Sequence, residues 1–165
     1  MAIEFDIQLT AKDLFRFNMR NAYTTLQGPI SIIIAILFVI SGVVSAMNGK
    51  YQYTVLYIAV AVVFLLYIPI TLNSRAKKTF RKNEVLSGVL HYVISEEAIE
   101  VHSGEEKGTL PWDMIFKMVA NKNYLLIYSN RINAYIIPRE QLKDHYDAVK
   151  ALAIQKLPKY RVKMK

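Results

Sequence analysis

The side chains able to do chemistry are few in this chain of 165 residues, and they stand apart from one another. His91, His102 and His145 are the only histidines, and no two stand at the short spacing that puts paired ligands on one metal. There is no cysteine to complete such a site or to form a disulfide. Glu96-Glu97 and Glu105-Glu106 lie beside Ser and Gly, where chains turn, and read as solvated turns, not as a general acid beside a general base. No nucleophile elbow, phosphate-binding loop or dinucleotide glycine pattern is present, the six glycines being scattered. Trp112, the lone tryptophan, follows Pro111 and reads as a core or corner residue whose indole N–H finds an acceptor. The expectation is a chain without catalytic residues, cofactor or metal, and therefore not an enzyme.

The remaining chemistry is charge. The formal net charge is +8, and its placement matters more than its size. Between Asn83 and Gln155 seven Lys and Arg stand against ten Asp and Glu, so that stretch is mildly acidic. The excess lies in the flanks. Lys12, Arg16 and Arg20 recur every four residues, and Arg75, Lys77, Lys78, Arg81 and Lys82 form a collar. Lys156, Lys159, Arg161, Lys163 and Lys165 make a tail without an acid. A nucleic-acid binder carries its basic patch on the folded surface, so no nucleic acid is expected as a partner. The first two groups are candidate contacts for anionic lipid headgroups, at about 1 kcal/mol per basic residue near a membrane surface. The tail either does the same or is disordered.

The elements that must position these charges are apolar. Ile30–Met47 and Tyr53–Leu72 contain no charged residue, and only five residues, Asn48 to Gln52, separate them. A helix rises about 1.5 Å per residue, so either run reaches roughly 27–30 Å, the hydrocarbon thickness of a bilayer. This predicts a transmembrane helical hairpin. Basic residues flank it on both sides while its loop holds only Lys50, which places both termini in the cytoplasm and the loop outside. A cleaved signal peptide is the competing reading. The run is too long for a signal core, and Glu4, Asp6 and Asp13 precede it. With no ionisable side chain inside either span, a channel or transporter loses its main support. Ser31/Ala35, Ser41/Ser45 and Gly42/Ala46 stand four apart, the spacing at which small residues let helix backbones approach. They predict the contact between the two helices and leave a homodimer face open.

Before the hairpin, Ile3, Phe5, Ile7 and Leu9 alternate with polar residues as in a half-buried strand, which needs a sheet elsewhere to join. Thr10 and Asp13 then form a capping-box-like start for a helix carrying Leu14, Phe17, Ala22 and Leu26, broken by Gly28-Pro29. That helix reads either as amphipathic on the inner leaflet or as a packed connector. After the collar come strands over 86–94, 98–102, 107–112, 115–120, 124–128 and 133–137, joined by short polar turns, as in an antiparallel meander. From Arg139 the period becomes helical, with Leu142, Tyr146, Val149, Leu152 and Ala153 on one face, and Pro158 stops it.

With that order of elements, the segments Leu110-Pro111-Trp112-Asp113-Met114-Ile115 and Ala134-Tyr135-Ile136-Ile137-Pro138-Arg139 make the chain resemble the bacterial YcxB-like family over essentially its whole length. The resemblance implies an α+β membrane protein of the bacterial cell membrane. Its two-helix hairpin would be followed by a pleckstrin-homology-like (PH-like) bent sheet or small barrel capped by a C-terminal helix. It carries over no catalytic residue. The expected domains are an N-terminal strand and helix (1–29), the hairpin (30–72), a basic collar (73–83), a cytoplasmic PH-like domain (84–157, sharing strand 3–9) and a basic tail (158–165). The expected function is a non-enzymatic, membrane-anchored interaction module contacting the bilayer and a protein partner. The alternative is an immunity or membrane-stress protein acting against membrane-active peptides.

Overall fold

The computed structural model describes residues 2–164; Met1 and Lys165, the outer ends of the N-terminal arm and the basic tail, lie outside the described residues. The fold is α+β. Strand β1 (Ile3–Gln8) is followed by helix α1 (Ala11–Thr24), two long helices α2 (Gln27–Met47) and α3 (Tyr51–Lys82), and a single turn α4 (Glu84–Ser87). Then come β2 (Val89–Ile94), β3 (Ala98–Ser103), β4 (Glu106–Pro111), β5 (Lys117–Ala120), β6 (Tyr124–Tyr128) and β7 (Ala134–Pro138). Helices α5 (Arg139–Leu142) and α6 (His145–Lys156) and the short strand β8 (Val162–Lys163) complete the chain.

The chain divides into two compact units, one made of residues 1–14 with 79–165 and the other of residues 15–78. The first is discontinuous because β1 pairs antiparallel with β2 along its whole length, from Ile3 opposite Ile94 to Gln8 opposite Val89. Its strands form two four-stranded sheets, β1-β2-β3-β4 and β7-β6-β5-β8. The expected meander is divided at Pro111, which has no N–H to continue a ladder, and at the 3-10 turn Trp112–Met114. The Trp112 indole donates to the Ser95 carbonyl at 2.9 Å and fastens that corner.

In the first sheet, alternation sends Phe5, Ile7, Leu90, Tyr92, Ile94, Ile99, Val101 and Leu110 into the core. The intervening Asp6, His91, Glu100, His102 and Lys107 take the other face. In the second sheet, all five residues of β6 are buried, which is why Tyr124–Tyr128 is an uninterrupted apolar and aromatic run. Leu142, Tyr146, Val149 and Ala153 close the core from α5 and α6.

Three expectations are corrected, and one alternative left open is decided. Leu86 and Ser87 belong to α4, whose first turn is capped by the Asn83 side chain accepting from the Leu86 N–H, so the strand begins only at Val89. The C-terminal helix is two helices, parted at Lys143, which has φ +43°. The tail, whose structure the sequence left open, forms a 3-10 turn, Lys159–Arg161, that leads into β8, which pairs parallel with β5. Finally, Leu26 lies between α1 and α2 and is exposed, so it is no part of the α1 face. The chain bends at Thr25-Leu26, and Gly28-Pro29 open α2 instead of ending α1. A proline in the first turn of a helix forfeits no helical hydrogen bond.

In the second unit α2 and α3 form the hairpin, turning at Gly49 with φ +71°, the left-handed region that glycine enters without strain. Both helices are long and apolar enough to cross a membrane, and only 11% of each apolar window is buried. A core helix of a soluble domain would be mostly covered, so this pair presents its apolar side chains to its surroundings.

Candidate functional site

Of the small residues, Ser31, Ala35 and Gly42 line the seam between the hairpin helices. The Ser31 hydroxyl donates to the Phe64 carbonyl at 2.7 Å, and the Thr54 hydroxyl donates to the Gly42 carbonyl at 3.2 Å. Ala35 and, from the other helix, Ala61 are each 2% exposed. A side-chain carbon on Gly42 would stand 3.2 Å from Ile58 Cδ1, so the flexible Ile58 side chain packs against the bare backbone of Gly42. Ser45 and Ala46 are half-buried near the turn, whereas Ser41 is exposed and bonds back to the Leu37 carbonyl of its own helix at 2.9 Å.

The basic collar is helical, since α3 runs unbroken to Lys82. At 100° per residue, Arg75, Lys77, Lys78, Arg81 and Lys82 occupy one broad arc, while Ala76, 1% exposed, lies between Leu72 and Phe80 on the opposite side. Arg81 and Lys82 also stand in the last turn, where cations complement the helix dipole. On α1, Lys12 and Arg16 are exposed and Arg20 is half-buried. The capping box forms: Asp13 Oδ2 accepts from the Thr10 N–H at 2.9 Å, and the Thr10 hydroxyl accepts from the Asp13 N–H at 3.2 Å. Asp13 Oδ1 accepts from the Tyr124 hydroxyl at 2.7 Å, tying the start of α1 to β6.

One cluster was not visible as sequence spacing. The strand register sets Asp6, His91, His102 and Lys107 opposite one another in a row across β1 to β4. His91 Nδ1 lies 2.7 Å from Asp6 Oδ1, and His102 Nε2 lies 3.3 Å from Glu100 Oε2, which also meets Lys107 Nζ at 3.0 Å. The Lys107 hydrogen bond, helped by His102, holds the Glu100 carboxyl below the usual carboxylate range. The signal was the turn at Ser95–Glu97, whose centre fixes which residues of the two strands must face each other. Among the described residues, no three His, Asp or Glu side chains are grouped so as to hold a metal.

Among the described residues of the first unit, two open pockets bear on the chemistry. One, of about 550 Å³, is lined by Gln8, Thr10, Phe80, Ser87 and Gln141 among others and by no charged side chain. There the Gln141 amide accepts from the Gln8 N–H at 2.7 Å and donates to the Gln8 carbonyl at 2.9 Å, as a neighbouring strand would. The other, of about 450 Å³, is lined by Glu84, Glu105 and Glu106 together with Ser103, whose hydroxyl donates to the Val85 carbonyl at 3.4 Å. The buried Tyr92 hydroxyl is pushed well above the usual tyrosine range by burial, with Tyr135 adding to the effect. Tyr92 therefore remains neutral and packs, stacked on Phe5 with ring centroids 5.5 Å apart.

Residues 94–153, from the end of β2 through most of α6, match the family model of YcxB-like proteins. No curated protein and no solved structure matches the chain.

Proposed function

We propose that this chain is a membrane-anchored, non-enzymatic interaction module of the YcxB-like kind. In this reading the hairpin crosses a bacterial cell membrane twice, and a PH-like α+β unit binds a protein partner on the cytoplasmic side. The carrying observation is the six-residue pairing of β1 with β2 on either side of the hairpin in sequence. Two strands can share a ladder only on the same side of a bilayer, so a crossing by α2 must be undone by α3. The exposed apolar side chains of both helices support lipid as their solvent, because water would not be covered at such cost. The basic arcs of α1 and α3 support the cytoplasm as the shared side. The antiparallel strands closed by α6 support the PH-like reading, and the match over 94–153 supports the YcxB-like one.

Reporter fusions test the topology. Alkaline phosphatase fused after Lys165 is expected to be inactive, and fused within Asn48–Lys50 active; an active C-terminal fusion sinks the orientation. Crosslinking in the native membrane tests the module, and the expected product is a defined protein joined to the first unit.

A further inference from the structure

We propose that the edge formed by β8 and the start of β5 is the docking surface for an acidic, extended segment of a partner protein. This rests on the reading of the chain as a protein-binding module. The sequence places the basic residues after Lys156 outside the folded domain, but the fold brings them onto it. Parallel pairing sets Met118 opposite Val162 and Val119 opposite Lys163, so the register continued backwards brings Arg161 alongside Lys117. The Arg161 guanidinium donates to the Ile115 carbonyl at 3.1 Å and fastens the tail there. Around this point stand three large apolar side chains left in solvent: Met114 at 63%, Phe116 at 41% and Tyr160 at 72% exposure. Lys159 and Lys163 are exposed beside them.

Aromatic, Met and Arg side chains together are the composition of interface centres, not of ordinary surface. Among the described residues the two-residue strand β8 is last in its sheet and pairs only with β5, leaving an edge to which an extended chain can add. No acidic residue occurs between Gln155 and Lys165, and Lys159, Arg161 and Lys163 outweigh the one exposed acid beside Met114, Asp113, so the charge selects an acidic partner. Anionic lipid would meet the same charges but offers no backbone to add to a strand edge, so an acidic chain segment is the better fit.

The test uses the full chain in nanodiscs of neutral lipid and a fluorescent peptide of about ten alternating acidic and apolar residues, the length of an added strand. Binding is read by anisotropy. The expected result is saturable binding, weakened at least about tenfold in the Phe116→Ser/Tyr160→Ser double variant and in Lys159→Glu/Lys163→Glu. All four side chains are exposed, and unchanged thermal unfolding confirms the fold. Equal binding by wild type and variants overturns the proposal, as does tighter binding of single-stranded DNA or of anionic vesicles than of the peptide. Partner crosslinks in the native membrane that map only to other faces of the first unit also remove this surface, while leaving the anchored module standing.

Discussion

Glu100 shows how one residue acquires its properties from strand register. Its lowered folded pKa comes chiefly from Lys107 on the next strand, seven residues away in sequence and a neighbour only because β3 and β4 pair. A depressed carboxyl stabilises the fold above its unfolded pKa, and that contribution is lost as pH falls through the folded value. Lys107→Met should therefore raise the Glu100 pKa towards the ordinary range, read by side-chain carboxyl NMR. An unchanged titration would show that Lys107 is not the cause. Trp112 offers a second prediction. Trp112→Phe keeps the ring buried but orphans the Ser95 carbonyl, and is expected to cost about 1–2 kcal/mol in chemical denaturation of the first unit. The indole's need for a partner was legible from the residue type, but the identity of that partner was not.

At the scale of elements, two glycines should respond oppositely to the same added methyl group. At Gly28 a Cβ would stand 2.6 Å from the Tyr23 ring and 2.9 Å from the Tyr23 Cα, and a backbone atom cannot step aside. Gly28→Ala is expected to destabilise the hairpin unit by about 1–3 kcal/mol. At Gly42 the nearest atom is the Ile58 Cδ1 at 3.2 Å, the far end of a flexible side chain, so Gly42→Ala should change little. Thermal unfolding of the two variants in detergent compares them directly; equal loss would refute the distinction. The C-terminal tail is the other element to test. Removing residues 159–165 takes away buried Met164, β8 and the Arg161 bond to Ile115, and should cost about 2–4 kcal/mol. A tail that contributed only charge would leave the unfolding midpoint where it was.

For the whole molecule, the consequential feature is that one compact unit is made from both sides of the hairpin. β1 supplies Phe5 and Ile7, and Leu9 follows it; all three are buried. Deleting residues 2–9 should unfold the first unit while leaving the hairpin able to insert. Limited proteolysis of reconstituted protein should then cut rapidly within 84–163 and spare 30–72. Equal resistance in the deleted and full-length chains would mean that β1 is an accessory strand.

The two apolar helices, most strands and the capping box at Thr10 are legible in the amino-acid order alone. Each of these is written in local composition or in a period of two or 3.6 residues. That order also showed which stretches carry charge. The fold was needed to show which strand Ile3–Gln8 pairs with, how His91 comes to face His102, and that the basic tail becomes β8. The physical reason is common to all three. Strand pairing joins residues distant in the chain through backbone groups that every residue carries, so local side-chain pattern does not name the partner. The division of the C-terminal helix at Lys143 was hidden for a related reason, since the apolar period runs on across it from Leu142 to Tyr146. The small residues of the hairpin were legible as a set. Their sorting into Ser31, Ala35 and Gly42 at the seam, with Ser41 outside it, needed the actual rotation of one helix against the other.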